Sequence, residues 1–364
     1  MYVRYQRWND ALSREMTMKQ IMKLFTHLLT QNAGDVEEAM ESLEYLGRRY
    51  GFFNDDLTAE MFRDYLKEEG YAKEEAKKPG LSLTTKGEQR IRSDAFEEIF
   101  SQLKRDNTAG NHSTGSAGEG GEALPETREF RYGDSLNDIE YTRSITNAIK
   151  RSGLENFAMA EDDLEVNERE QSTSCATMML VDISHSMILY GEDRITPAKK
   201  VAMALAEFIQ KRYPKDSLDV ALFGDDAHQV QIRDLPYIQV GPYHTNTKAG
   251  LELAQRVLSR RKQGNKQILM ITDGKPSAIF EGGMLYKNSF GLDPKIVNQT
   301  INEAVHCRRK GIEITTFMIT SDPALKDVVD RITKANKGRA YYASLDKLGS
   351  FVLTDYARNR RKRS

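Results

Sequence analysis

At 364 residues the chain is long enough for two domains, and its 39% hydrophobic content is enough for a buried core. A formal net charge of −1 gives no global electrostatic reason for nucleic-acid binding. Two cysteines, Cys175 and Cys307, are too few and too far apart for a disulfide scaffold or a zinc site and fit a reducing compartment. No stretch approaches the roughly 20 apolar residues of a membrane helix, and residues 1–8 contain no apolar signal core. The expectation is a cytoplasmic protein without a membrane span.

Met18, Ile21, Met22, Phe25, Leu28 and Leu29 recur at helical spacing over residues 16–31. Asp35 then caps a second helix with Val36, Ala39, Met40, Leu43 and Leu46 inward. A third helix carries Phe62, Tyr65 and Leu66, Leu81 and Leu83 mark a small strand, and a helix follows from Thr85 to Leu103. Residues 1–105 therefore read as a helical N-terminal domain. The string from Leu81 to Gly87 hints at a winged helix, which keeps a nucleic-acid-binding regulator open as an alternative. Contact with proteins is the plainer reading of those helices.

Residues 106–130 are rich in Gly, Ser and Asn and predict a flexible linker. No GxxxxGK[ST] occurs in the chain, so the glycines there do not make a phosphate loop. Residues 131–174 form a connecting segment. Within it, Gly133-Asp134-Ser135-Leu136 resembles the start of the GDSL hydrolases, with Ser135 as the nucleophile. Those enzymes need Asp-x-x-His near the chain end, and here that spacing occurs only mid-chain, at Asp182 to His185 and Asp225 to His228. Capping by Asp134 or Ser135 of a helix carrying Leu136, Ile139, Ile145, Ala148 and Ile149 is the simpler expectation. The run from Glu161 to Glu170 is acidic and extended.

From Cys175 strands and helices alternate to the end of the chain. Met178 to Val181 is an unbroken apolar run, as in a strand buried on both faces. Helices follow Thr196-Pro197, Thr245, Asp293-Pro294 and Asp322-Pro323. Strands span 218–223, 312–319 and 339–343, with 229–235 an antiparallel edge, and the last helix covers 346–361. This alternation predicts an α/β fold over 175–364: a doubly wound, mostly parallel sheet with helices on both faces. The terminal run Arg358 to Arg363 is basic, suited either to a helix C-terminus or to an acidic partner.

The apolar run ends in Asp182-Ile183-Ser184-His185-Ser186, which puts one carboxylate and two hydroxyls at the carboxyl edge of the sheet, where open α/β folds bind ligands. Oxygen donors suit Mg²⁺, Mn²⁺ or Ca²⁺ and not zinc or copper. Gln267 to Thr272 is a second buried strand, ending at Asp273, and Thr245 supplies another hydroxyl before a helix. With Asp-x-Ser-x-Ser, a distant Thr and a distant Asp in that order, the chain resembles the von Willebrand factor A (VWA) family over roughly 175–360.

The resemblance implies a metal-ion-dependent adhesion site in which Asp182, Ser184, Ser186, Thr245 and Asp273 hold Mg²⁺ or Mn²⁺ and a partner protein's Asp or Glu completes the shell. His244 and Lys275 depart from the family pattern, which more often has glycine and an acid there. Within the family, helices followed by a C-terminal VWA domain resemble proteins that work with MoxR-type AAA+ ATPases, and chelatase VWA subunits. The implied function is a non-catalytic, metal-dependent protein-binding adaptor serving a separate ATPase in remodelling of, or metal insertion into, a client. A hydrolase using Ser135 or a metal-activated water is the competing class.

Overall fold

The computed structural model describes residues 16–54, 57–74, 80–109, 127–130, 139–153, 157–167, 174–273, 275–288, 290–319, 322–345 and 347–361. The chain opens with α1 (Met18–Gln31), α2 (Val36–Tyr50) and α3 (Ala59–Glu68), then β1 (Ala72–Glu74), β2 (Leu81–Leu83) and α4 (Thr85–Ala109). Their ends follow local chemistry. Asp35 accepts from the amides of Glu37 and Glu38 at 2.9 and 3.0 Å, and Gly51 ends α2 in the left-handed conformation. β1 and β2 form an antiparallel pair with Ala72 opposite Leu83. α4 runs to Ala109 and takes in the first four residues, 106–109, of the expected linker; residues 110–126, with most of its Gly-rich run, lie outside the described residues.

Residues 110–173 belong to a separate compact unit. Its described elements are β3 (Thr127–Glu129), α5 (Tyr141–Ser152) and β4 (Glu165–Asn167), with β3 antiparallel to β4. Residues 127–129, expected as linker, are therefore a strand. Arg151 is ion-paired at 2.8 Å with Asp163, whose carboxylate also accepts from the amide of Ala160. The acidic run is thus partly internal to this unit. α5 starts later than expected: Glu140 caps it by accepting from the amide of Arg143, and Ile139 bridges to Val166 outside the helix. Asp134 and Ser135, named above as caps or as a nucleophile, lie outside the described residues.

The α/β half comprises β5 (Cys175–Asp182), α6 (Ile195–Arg212), β6 (Ser217–Phe223), β7 (Ala227–Val230), α7 (Thr247–Ser259), β8 (Asn265–Thr272), β9 (Ala278–Glu281), β10 (Met284–Lys287), α8 (Pro294–Arg309), β11 (Ile312–Met318), α9 (Pro323–Asn336), β12 (Arg339–Tyr342) and α10 (Leu348–Arg361). The sheet order is β12–β11–β8–β5–β6–β7, parallel except for β7 at one edge. The alternating run at 229–235 is a strand only to Val230; a 3-10 turn containing Pro236 covers Ile232–Tyr237. α6 begins at Ile195, before the expected Thr196 cap, and the Asp193 carboxylate takes the Thr196 amide.

Strand period explains the unbroken apolar runs. In β5, Met179 and Val181 join the core under α6 and α10, while Ala176, Met178 and Leu180 join the core under α7, α8 and α9. β8 divides the same way, Leu269 and Ile271 against Ile268 and Met270. Both cysteines are buried and unbridged.

The N-terminal helices, set apart as 1–105 by sequence pattern, share one compact unit with this α/β half. Ile21, Phe25, Leu29, Ile91 and Ile99 belong to the same continuous core as Val201, Leu205 and Tyr356. Phe96 of α4 stacks on Phe208 of α6 at 6.2 Å between centroids. At the centre of this contact Lys199 is 1% exposed. Its ammonium donates to the carbonyls of Thr30, Pro236 and Ile238. Burial pulls its pKa down to about 8. Thr30 lies in the last turn of α1, where carbonyls lack helical partners and favour a cation. Lys199→Ala would strand three carbonyls, each costing about 1–3 kcal/mol if left without water. It should lower stability by at least about 2 kcal/mol in urea unfolding, with the N-terminal helices and sheet still melting together. Two separated transitions, or no loss, would contradict this role for Lys199.

Candidate metal centre

Parallel pairing brings the carboxyl ends of β5 and β8 side by side, with Val181 opposite Ile271. Asp182 and Asp273 therefore meet at one edge for a topological reason. The loop after β5 turns at once, and the loop before α7 returns to the same edge through His185, whose amide donates to the carbonyl of Tyr243 at 3.0 Å. All five residues singled out from the sequence converge. Thr245 Oγ1 donates to Ser184 Oγ at 3.0 Å, Ser184 Oγ lies 3.0 Å from Ser186 Oγ, and Ser186 Oγ donates to Asp273 Oδ1 at 2.8 Å. Asp182 closes the group, its Oδ1 accepting from the Ser184 amide at 2.9 Å. Asp182, Ser184, Thr245 and Asp273 are buried, while Ser186 is half-buried.

Three contributors carried no sequence signal. Thr272 Oγ1 donates to Asp182 Oδ2 at 2.7 Å. Ser277 Oγ accepts from the Thr245 amide at 2.9 Å. Arg194 places its guanidinium 3.0 Å from Asp273 Oδ2 and is 13% exposed at the side chain. Arg194 precedes α6 by one residue, and nothing in the spacing ties it to a residue 79 positions on. His185 is exposed. His244 is bound by its loop: its amide donates to Asp225 Oδ1 at 2.7 Å, and its Nδ1 lies 3.3 Å from the same oxygen. Lys275 is half-buried, which lowers its pKa.

The donor chemistry fits a hard divalent ion. Two carboxylates and three hydroxyls offer oxygen alone, and among the described residues no three His, Cys, Asp or Glu side chains cluster as ligands for a softer metal. One feature competes with an ion: Asp273 already has Ser186 on one oxygen and Arg194 on the other. Among the described residues Asp182 has no cationic partner at hydrogen-bond distance; hydroxyl and amide donors meet it instead. Burial, and secondarily the charge of Asp273, push its pKa up to about 7.

The family described as "Rv0959-like protein, vWA domain" matches residues 175–357, half of the chain and the whole sheet. The chain belongs to this VWA family. A second description, "Rv0959-like protein, third domain", matches residues 122–169, inside the separate unit. The uncharacterized protein Rv0959 of Mycobacterium tuberculosis is 31% identical over 289 residues, covering 77% of this chain and 42% of that protein. The uncharacterized protein Mb0984 of Mycobacterium bovis gives the same figures. The chain thus spans under half the length of these curated relatives. Among solved structures, the pilus adhesin SpaC of Lactobacillus rhamnosus GG matches 54% of this chain and 31% of its own, at 17% identity and a TM-score of 0.42.

The state of Asp182 gives a prediction. A folded-state pKa raised from 3.8 to about 7 means the folded protein holds a proton that the unfolded chain has lost. That stabilisation is complete below 3.8 and disappears as pH rises through about 7. EDTA-treated protein should therefore melt at a lower temperature at about pH 8 than at about pH 5, by an effect on the order of a few kcal/mol. Asp182→Asn should flatten that dependence. Parallel melting profiles of wild type and variant would show that Asp182 is not the group responsible.

Proposed function

We propose that this protein is a metal-dependent protein-binding module: Asp182, Ser184, Ser186, Thr245 and Asp273 hold one Mg²⁺ or Mn²⁺, and a partner protein supplies a carboxylate. The observation that carries the reading is the single hydrogen-bonded chain Thr245–Ser184–Ser186–Asp273 with Asp182 beside it, five oxygen-bearing side chains from three separate loops at one sheet edge. A bound ion would supply a positive centre that leaves room for an oxygen from outside the chain. Asp182 and Asp273 provide the negative charge. The serines and Thr245 provide neutral donors, which leaves the ion short of charge and ready for another carboxylate. Thr272 and the Ser184 amide orient Asp182, and Ser277 fixes the backbone of Thr245.

This assigns binding and not catalysis to the edge. In the finer form of the proposal, the module serves a separate AAA+ ATPase of the MoxR type, in remodelling of a client or metal insertion into it, within the cytoplasm. What supports that part is the resemblance in arrangement, helices followed by a VWA domain, and the lack of a GxxxxGK[ST] phosphate loop in this sequence.

The test is affinity capture from lysate with Mg²⁺ or with EDTA, read by mass spectrometry, using wild type and Asp182→Ala. Partners should be retained with Mg²⁺ by wild type and lost with EDTA or with the variant, and an AAA+ ATPase should be among them. The variant should keep its fold, because β5 is buried along its whole length by apolar contacts that do not involve the carboxylate. Partners retained equally in all conditions would refute the metal-dependent reading. Metal-dependent partners without an ATPase would refute only its finer part.

A further inference from the structure

The guanidinium of Arg194 sits where a countercharge is needed most. Asp273 is 4% exposed, and Arg194, 13% exposed at its own side chain, meets Asp273 Oδ2 through Nη1 at 3.0 Å. A carboxylate carried that far out of water is costly to ionise alone. Arg194 supplies the missing positive charge.

The rest of the guanidinium faces another way. Its Nε and Nη2 donate to Glu192 Oε2 at 3.3 and 3.1 Å, and the Glu192 side chain is 59% exposed. The backbone beneath is anchored. The Arg194 amide donates to the carbonyl of Met187 at 3.0 Å, and the Thr196 amide donates to the Asp193 carboxylate at 3.0 Å in the first turn of α6. One side chain thus spans a buried carboxylate and an exposed one from a fixed main chain. If it leaves Asp273, Glu192 offers it an acceptor at the surface.

The charge count makes this pairing a competition. Two ionised carboxylates, Asp182 and Asp273, balance one divalent ion. With Arg194 still in place, a bound ion would set three positive charges beside two negative ones, where little water screens them. Ser186 already donates to Oδ1 of Asp273, so both oxygens of that carboxylate are occupied by donors. We propose that Arg194 is an internal stand-in for the metal: it neutralises Asp273 in the metal-free protein, and the cost of displacing it sets how tightly the centre takes up a divalent ion. The inference rests on the metal reading above, since it needs an ion to compete with.

A purely structural ion pair would behave differently. If the pair only kept the centre in shape, its loss would lower stability and weaken metal uptake together. A stand-in ties the two in opposite directions. Removing it destabilises the metal-free protein and tightens metal uptake, and the bound ion restores the lost stability.

The test titrates the intact chain, stripped with EDTA and dialysed, with Mn²⁺ alone, reading free Mn²⁺ by electron paramagnetic resonance. Wild type is compared with Arg194→Gln and Arg194→Lys, and each protein is melted in EDTA and in saturating Mn²⁺. Arg194→Gln should bind Mn²⁺ about tenfold or more tightly than wild type, melt several degrees lower in EDTA and recover most of that deficit in Mn²⁺. Arg194→Lys keeps the charge without the planar fork and should fall between the two. Equal affinity in wild type and Arg194→Gln, or weaker binding by a variant whose circular dichroism matches wild type, would overturn the proposal and leave the metal reading standing. Should Arg194→Gln fail to fold even in Mn²⁺, Arg194→Lys decides, and an affinity no tighter than wild type sinks the proposal. No uptake of Mn²⁺ by any of the three overturns the metal reading and the proposal with it.

Discussion

The structure turns on a pair of carboxylates at the buried end of its two central strands. Asp182 closes β5 and Asp273 follows β8, both buried, and parallel pairing of those strands leaves the two no way to separate. Two like charges in an apolar setting raise each other's cost of ionisation, on top of the cost of leaving water. The protein meets this in two ways. Asp273 is matched by Arg194, and Asp182 is given hydroxyl and amide donors but held at a raised pKa. Positive charge arriving beside Asp182 would relieve what the chain leaves unrelieved. Arg194 then becomes a rival of that charge for Asp273, because one carboxylate oxygen cannot serve both fully.

The sheet carries that edge, and the N-terminal helices pack on α6 and on the 3-10 turn over Ile232–Tyr237 that flank it. α6 starts directly after Arg194 and carries Lys199 one turn later, so the helix bearing the rival cation also bears the ammonium that clamps α1. Lys199 reaches Pro236 and Ile238 as well, in the segment leading toward Thr245. Lys200, the next residue, pairs with Glu98 of α4 at 2.7 Å and lies 2.7 Å from His27 of α1, whose pKa burial and that ammonium lower to about 4. The helices that looked like an attached domain are thus part of what positions the loops around the centre.

Much of this was legible in the sequence because it is local. The caps at Asp35, Asp293 and Asp322 follow from side-chain chemistry beside the helix start, and the buried runs of β5 and β8 follow from apolar composition without alternation. The five oxygen donors were legible because each sits at the end of an element whose type the pattern gives. What escaped depends on tertiary pairing. Arg194 has meaning only beside Asp273, and Lys199 reads as a surface position of an amphipathic helix until α1 covers it. The strand at 229–235 was cut short because Pro236 suits a tight turn better than a ladder. The division at 105 followed composition, which does not record that Ile21, Phe25 and Val201 share a core.

The proposed function requires that the carboxylate pair with its hydroxyls take up a divalent ion. Anomalous diffraction from crystals soaked in Mn²⁺ tests it most directly. One Mn²⁺ peak is expected, bounded by oxygens of Asp182, Ser184 and Ser186, with the Arg194 guanidinium drawn back from Asp273. A peak-free edge at saturating Mn²⁺, with Arg194 still on Asp273, would contradict it.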